Sequence, residues 1–361
     1  VDLTRADERP RSGGVERRSQ VTGTTATASG IAADIDRVRE QVTAADVVAP
    51  VGGRTHWEVG GPPPAGVEVG APAGVVTYEP AELTVTVGAG TTVADLAAIL
   101  DDRAQECVLD PRDPAGATVG GTLAAGLSGH RRLRYGPLRD RLLEVRFVTA
   151  DGRMVKGGGP TVKNVTGYDL PRLLVGSLGT VGVIVQATLR CQPRPSHAVW
   201  ATTPEDPFEV RRRCFRPSSI IWDGAVTRVL LEGDPDDVAA ELAAGGLTAV
   251  EGPPAWPHGS HRGRISVPPG RVSALADHLG ETQGLRWLAE IGVGTVHVAA
   301  DAAAMIARAR AMAESAGGWL LREQGDDLDG FGTGLPNRAV MARIKAAFDP
   351  TGKLSPGRLP L

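Results

Sequence analysis

Two stretches of this chain combine glycine with small hydroxyl and basic residues in a pattern suited to holding an anion. The first is Pro50-Val51-Gly52-Gly53-Arg54-Thr55. The second runs from Asp110 to Gly136 (DPRDPAGATVGGTLAAGLSGHRRLRYG) and gathers Pro111, Ala117, Thr118, Gly120, Gly121, Ser128, Gly129 and Gly136. Glycine lets backbone approach a ligand closely and reach positive φ. A backbone that folds back on itself while offering N–H groups makes a phosphate cradle. In the second stretch Thr118 and the Gly120-Gly121 pair lead into an apolar run, so a helix N-terminus with free N–H groups is expected to favour diphosphate. Two separated cradles imply one extended, phosphate-bearing cofactor held along its length.

A third segment, Lys163-Asn164-Val165-Thr166-Gly167-Tyr168-Asp169 followed by Gly176-Ser177-Leu178-Gly179-Thr180-Val181-Gly182-Val183-Ile184, sets polar residues and glycines before a strand that reads as fully buried. The backbone of such a strand can bond a flat ring edge-on. A plain polar loop entering the core fits the same residues equally well. Gly88-Ala89-Gly90, with Asp110 twenty positions beyond, is like the start of a dinucleotide fingerprint. Val93 stands where its third glycine belongs, so a simple strand–turn–helix is the better reading.

The elements that must position these loops follow from periodicity. Residues 33–45 carry Ile35, Val38 and Val42 on one helical face. Short strands are expected at 47–51, 67–69, 75–78 and 83–87, then a helix over 93–100 with Thr92 as its N-cap. The Asp151-Gly152 pair joins strands 142–149 and 154–156 in a hairpin. A short helix is read at 170–175 and the β-branched run 181–189 as a strand. Pro193-Arg194-Pro195 marks a boundary. Beyond it, helices are expected at 237–244, 272–279, 302–316 and 338–348, and strands at 226–231 and 294–298.

Composition narrows the class. The chain has 361 residues, 42% hydrophobic and 22% charged, with a net charge of −3, so no general attraction to nucleic acid follows. His130-Arg131-Arg132-Leu133-Arg134 is left open between phosphate or partner contact and a solvated face; Arg211-Arg212-Arg213 reads as solvated. Cys107, Cys191 and Cys214 are too far apart for a zinc or iron–sulfur site, and no metal is expected. No apolar run is long enough to span a membrane. Residues 1–30 read as a disordered arm without a signal-peptide core, which suggests a cytoplasmic protein.

Taken in order, P-x-G-G-x-T, A-T-V-G-G, S-G with Y-G, K-N-x-x-G-Y-D and G-S-x-G-T-x-G-V-I resemble the PCMH-type FAD-binding domain of the vanillyl-alcohol oxidase superfamily. Phe348-Asp349-Pro350-Thr351-Gly352-Lys353-Leu354-Ser355-Pro356-Gly357-Arg358 is similar to that superfamily's C-terminal ending, with Ser355 where Asn is usual. The resemblance implies an α+β fold: an FAD-binding domain of two α/β subdomains over 31–195, a reduced α+β cap over 196–334, and a segment 335–361 returning to the FAD domain. It implies that Val51, Gly52, Gly53, Arg54, Thr55, Thr118, Gly120, Gly121, Ser128 and Gly129 hold pyrophosphate and flavin. It sets Gly179, Gly182 and Val183 near the adenine or the ring edge. Relatives that bind FAD covalently carry a His at the position of Thr55, with His56 one residue late, so non-covalent FAD is expected.

Among these proteins the chain resembles FAD-binding subunits of glycolate-oxidising complexes. That implies a small 2-hydroxy acid as substrate, with a larger flavoprotein subunit and an iron–sulfur subunit as partners. Hydroxy-acid-oxidising relatives carry H-G-D-G-N-x-H in the cap, where this chain keeps only His297, and E-H-G, where it has Glu323-Gln324-Gly325. His297 therefore reads as structural and Arg322 as a surface ion-pair partner. No catalytic residue is assigned. Two alternatives stay open: a stand-alone FAD-dependent dehydrogenase, and a non-catalytic assembly subunit with a vestigial flavin site.

Overall fold

The computed structural model describes residues 28–62, 64–160, 168–325, 328–332 and 337–361. The Lys163–Gly167 motif and nearly all of the N-terminal arm lie outside them. The helix Ala28–Ala44 begins earlier than its apolar spacing indicated and buries Ile31, Ile35, Val38 and Val42. Those residues pack on a two-stranded parallel sheet of Val48–Val51 and Val67–Gly70. The C-terminal segment closes the same layer: Val48 N–H donates to Lys353 O (2.8 Å), Ser355 N–H donates to Val48 O (2.9 Å), and Leu354 is fully buried.

A five-stranded antiparallel sheet follows, ordered Val75–Glu79, Thr84–Gly88, Val183–Arg190, Leu142–Val148, Met154–Gly158. The strand Val183–Arg190 is central and buried on both faces, Gln186 and Thr188 included. The helix Val93–Asp101 starts where expected, with Thr92 Oγ1 accepting from Asp95 N–H at 3.0 Å. The helices Val119–Ala125 and Leu170–Leu174 complete the cover of this sheet.

The remainder builds one eight-stranded antiparallel sheet: Thr248–Val250, His197–Thr203, Thr227–Gly233, Ser219–Trp222, Arg286–Glu290, Thr295–Ala300, His261–Ser266 and Trp319–Gln324. Only two of these strands were legible in the sequence. One face buries Ile265, Val296, Val298 and Ala289 beneath the helices Val272–Gly280 and Ala303–Ser315. Because side chains alternate along a strand, Arg264, His297 and Leu288, which stand opposite one another in register, project from the other face. That face meets the FAD-binding part of the chain: Arg264 Nη1 donates to Ser128 O at 2.9 Å.

Candidate flavin groove and interdomain charge cluster

The first glycine loop and the Thr118 loop are pressed together. A Cβ on Gly53 would stand 1.5 Å from the carbonyl oxygen of Gly116, and one on Gly52 would stand 2.3 Å from Thr118 Oγ1. Both contacts are closer than any side chain tolerates, so only glycine permits this apposition. Arg54 sits at φ 58° and turns the loop back on itself. The N–H groups of Gly52, Gly53, Arg54 and Thr55 have no partner among the described residues. Consecutive free N–H groups on a turned backbone are an anion nest.

The helix N-terminus lacks the free N–H groups that the sequence led us to expect. Val119–Ala125 is seven residues long. Its first N–H groups are consumed internally: Val119 on Thr91 O (2.8 Å), Gly120 on Ala89 O (2.7 Å), Gly121 on the capping Thr118 Oγ1 (3.1 Å). These bonds fix the helix against the groove floor and leave the N–H donors to the 52–55 loop.

The groove is shallow, with a cavity of about 100 Å³. It brings together Val51, Gly52, Gly53, Arg54, Thr55, Thr118, Gly120, Gly121, Gly179, Gly182 and Val183 of the sequence-derived set, and adds His56, Trp57 and Arg358. Arg358 is buried and donates only to carbonyls, Val59 O and Gly61 O, both at 3.0 Å. Arg54 is paired instead with Glu68. The central strand offers its backbone only at its start, because pairing with Thr84–Gly88 stops at Gly88–Gln186 and leaves Val183 and Ile184 at the groove wall.

Five predicted residues lie elsewhere. Ala117 is buried beneath the loop. Pro111 lines a second cavity. Ser128 Oγ accepts from Leu138 N–H (3.0 Å). Gly129 abuts Asp110, where a Cβ would come within 2.3 Å. Gly136 ends the turn Arg132–Tyr135 at φ 80°. Asp110 is no ribose ligand: both its carboxylate oxygens accept from Arg131. Arg131 also binds Glu106 (2.7 Å) and Glu232 (3.3 Å), so the basic run 130–134 is a seam between the two sheets and neither a phosphate site nor a solvated face.

Between groove and cap lies a buried charge cluster that motif reading passed over. Arg112 Nη2 donates to His297 Nδ1 (2.9 Å) and meets Glu323 Oε2 (3.0 Å). An arginine can only donate, so His297 Nδ1 is the acceptor. Its Nε2–H then donates to Glu290 Oε1 at 2.6 Å. Burial, reinforced by Arg264 and Arg112, pushes the His297 imidazole well below its usual range. Burial pushes the Glu290 carboxyl up against the pull of Arg264. Burial also opposes ionisation of Glu323, but Arg112, His297 and Arg264 outweigh it and hold that carboxyl down. Arg264 is buried with no carboxylate in salt-bridge range among the described residues. Arg322 is a correction: it is buried rather than on the surface, and Nη2 donates to Gly60 O at 2.6 Å. Alternation of polar residues in HRGRIS (261–266) and of Glu290 at the end of RWLAE was the one available signal, but it reads as an exposed face.

His130 belongs to the same cluster, stacked on Trp256 with ring centroids 4.1 Å apart. Burial pushes its pKa down from 6.5 to about 4, against the raising field of Glu290. Between those pH values the unfolded chain binds a proton that the folded chain refuses. Its stabilising contribution is therefore complete above about pH 6.5 and is lost as pH falls through the window, by up to ~3 kcal/mol. Urea unfolding on either side of the window should show this loss, and His130→Gln should reduce it.

Residues 26–158 match the family described as the FAD binding domain. Within sequence relatives, the chain is 41% identical over 123 residues to glycolate oxidase subunit GlcE of Escherichia coli (strain K12), covering 34% of this chain and 35% of that one. It is 46% identical over 110 residues to a D-lactate dehydrogenase of Archaeoglobus fulgidus, covering 30% and 24%. To glycolate oxidase subunit GlcD of Bacillus subtilis (strain 168) it is 33% identical over 121 residues, covering 34% and 26%. The chain thus spans about a third or less of these relatives. A solved alkyldihydroxyacetonephosphate synthase shares the fold over 92% of this chain and 74% of its own, with a TM-score of 0.65 at 14% identity. Among the described residues no helix is long and apolar enough to cross a membrane.

Proposed function

We propose that this chain is an FAD-dependent oxidoreductase that takes two electrons and two protons from a small 2-hydroxy acid such as glycolate. It does so as the FAD-binding subunit of a cytoplasmic complex with a larger flavoprotein and an iron–sulfur subunit. The observation that carries the reading is adjacency: His56 lines the N–H-rich groove and also feels the charges of Glu323, Arg112 and Arg264 in the cap cluster.

FAD suits the residues present. Four unpartnered N–H groups offer hydrogen bonds to the pyrophosphate, and the Ala89, Ala124, Leu178 and Ile184 walls suit a flat ring. Arg358 adds a positive charge with no ion-pair partner among the described residues. Thr55 occupies the position of the covalent His, and His56 Nδ1 lies 3.2 Å from Thr55 Oγ1, which favours non-covalent FAD. When bound, the flavin supplies a hydride acceptor. Arg264 and Arg112 offer a carboxylate two guanidinium groups. Once Arg112 turns onto that carboxylate, His297 Nδ1 is free to accept the hydroxyl proton, oriented by Glu290 at Nε2. A second reading, electron relay without oxidation by this chain itself, is favoured by Arg112 occupying Nδ1 of His297.

The test is the visible spectrum of the purified chain, recorded anaerobically before and after glycolate. Acid precipitation should release the flavin. Bleaching by glycolate that His297→Asn slows at least 100-fold, with the flavin retained, supports oxidation by this chain. A stable oxidised spectrum supports the relay, and no flavin after reconstitution overturns both.

A further inference from the structure

A second cavity of about 650 Å³ opens between the FAD domain and the cap. Its aromatic wall is Trp200, Trp256 and His130. His130 stacks on Trp256 and meets Trp200 edge-on at 5.8 Å. Val93, Ala97 and Leu230 make an apolar wall opposite the polar lining. The charged residues at this cavity are spent on one another, Arg131 on Asp110 and Glu106, and Arg194 on Asp101. Arg112 is the exception in position: it lines the cavity and at the same time reaches His297 and Glu323, with its guanidinium 4.3 Å from the Trp256 ring centroid. The cavity therefore ends at the charge cluster.

Two buried polar atoms near that end lack a hydrogen-bond partner, His130 Nδ1 and Glu290 Oε2. His130 lines the cavity beside Arg112, and Glu290 Oε1 accepts from His297, which Arg112 also reaches. An unpartnered buried polar atom is costly unless a ligand or water completes it. Glycolate, with five non-hydrogen atoms, would satisfy the polar end and leave the aromatic volume empty.

We propose that the substrate is an aryl-substituted 2-hydroxy acid, its carboxylate on Arg112 and Arg264, its hydroxyl at His297 Nδ1, and its ring against the edges of Trp256 and Trp200. This rests on the oxidoreductase reading and changes its substrate class. Aromatic edge contacts and removal of a phenyl ring from water supply the affinity.

The experiment uses carboxylates that the flavin cannot oxidise, so that binding is read apart from turnover. The FAD-loaded chain is titrated calorimetrically with 3-phenylpropionate and with acetate. The expected result is at least 30-fold tighter binding of 3-phenylpropionate. Trp256→Ala and the milder Trp200→Phe should each shrink that ratio, the first to within about threefold, with the flavin spectrum certifying the fold. Equal affinities, no binding of either acid to flavin-loaded protein, or a ratio that survives both substitutions overturns the assignment and leaves the flavin reading standing. If the chain takes no flavin, the oxidoreductase reading falls, and the same titration still decides whether the cavity selects aryl carboxylates. Anaerobic bleaching by 3-phenyllactate at glycolate's rate or slower, despite tighter binding of the aryl acid, also overturns the substrate assignment.

Discussion

Gly53→Ala should abolish flavin binding and lower the melting temperature at once. Its new methyl would lie 1.5 Å from Gly116 O and 2.6 Å from the carbonyl carbon, both backbone atoms that cannot rotate away. The two loops must separate by more than an ångström, and overpacking of this kind costs ~3 kcal/mol or more. The same separation scatters the N–H groups of residues 52–55, whose hydrogen bonds weaken steeply with distance and angle. Fluorescence titration should show FAD affinity reduced at least 100-fold. Gly280→Ala is the matched control: it ends the helix Val272–Gly280 and has nothing within 4 Å of the added carbon. It should leave FAD affinity unchanged and stability within ~1 kcal/mol. Retention of wild-type affinity in Gly53→Ala would show that this apposition is not what shapes the cradle.

Arg131→Ala should be the most destabilising substitution at the seam. Arg131 is largely buried, its side chain 18% exposed, and it meets Asp110, Glu106 and Glu232, the last only 5% exposed. Asp110 and Glu106 belong to the FAD-binding part, whereas Glu232 lies on the cap strand Thr227–Gly233. Its surroundings raise the already high guanidinium pKa: burial opposes the charge, but hydrogen bonding and attraction from Asp110 and Glu106 outweigh it. Removing it leaves three carboxylates close together in partial burial, and breaking a buried pair costs roughly 3–5 kcal/mol. Arg131→Lys should recover less than half of that, since an ammonium cannot span three carboxylates in a fixed fork. Denaturant unfolding measures both. A loss below ~1 kcal/mol in Arg131→Ala would mean the carboxylates find water or Arg134 instead.

Local chemistry was legible wherever one residue type has a single structural use. Thr92 ahead of an apolar helix, Asp151-Gly152 between two strands, and the β-branched run 181–189, whose strand is Val183–Arg190, all became what short-range preference dictates. The cap resisted for the opposite reason. Its strands His261–Ser266 and Arg286–Glu290 set apolar residues on one face and charged residues on the other, and sequence reads charge as exposure. Here Arg264 and Glu290 are buried because another domain covers them.

The sequence by itself marked the glycine loops that could receive a phosphate-bearing cofactor, because glycine, threonine and the loop spacing act locally. Tertiary structure decided which of those loops keeps free donors. The N–H groups of Val119 and Gly120 are spent on Thr91 and Ala89, more than twenty residues away in the chain, and those of 52–55 are not. It also decided that Arg112, His297, Glu290 and Glu323 form one site, since they are drawn from a loop of one domain and separate strands of another. Their meeting depends on how two sheets dock, and no local preference encodes that distance.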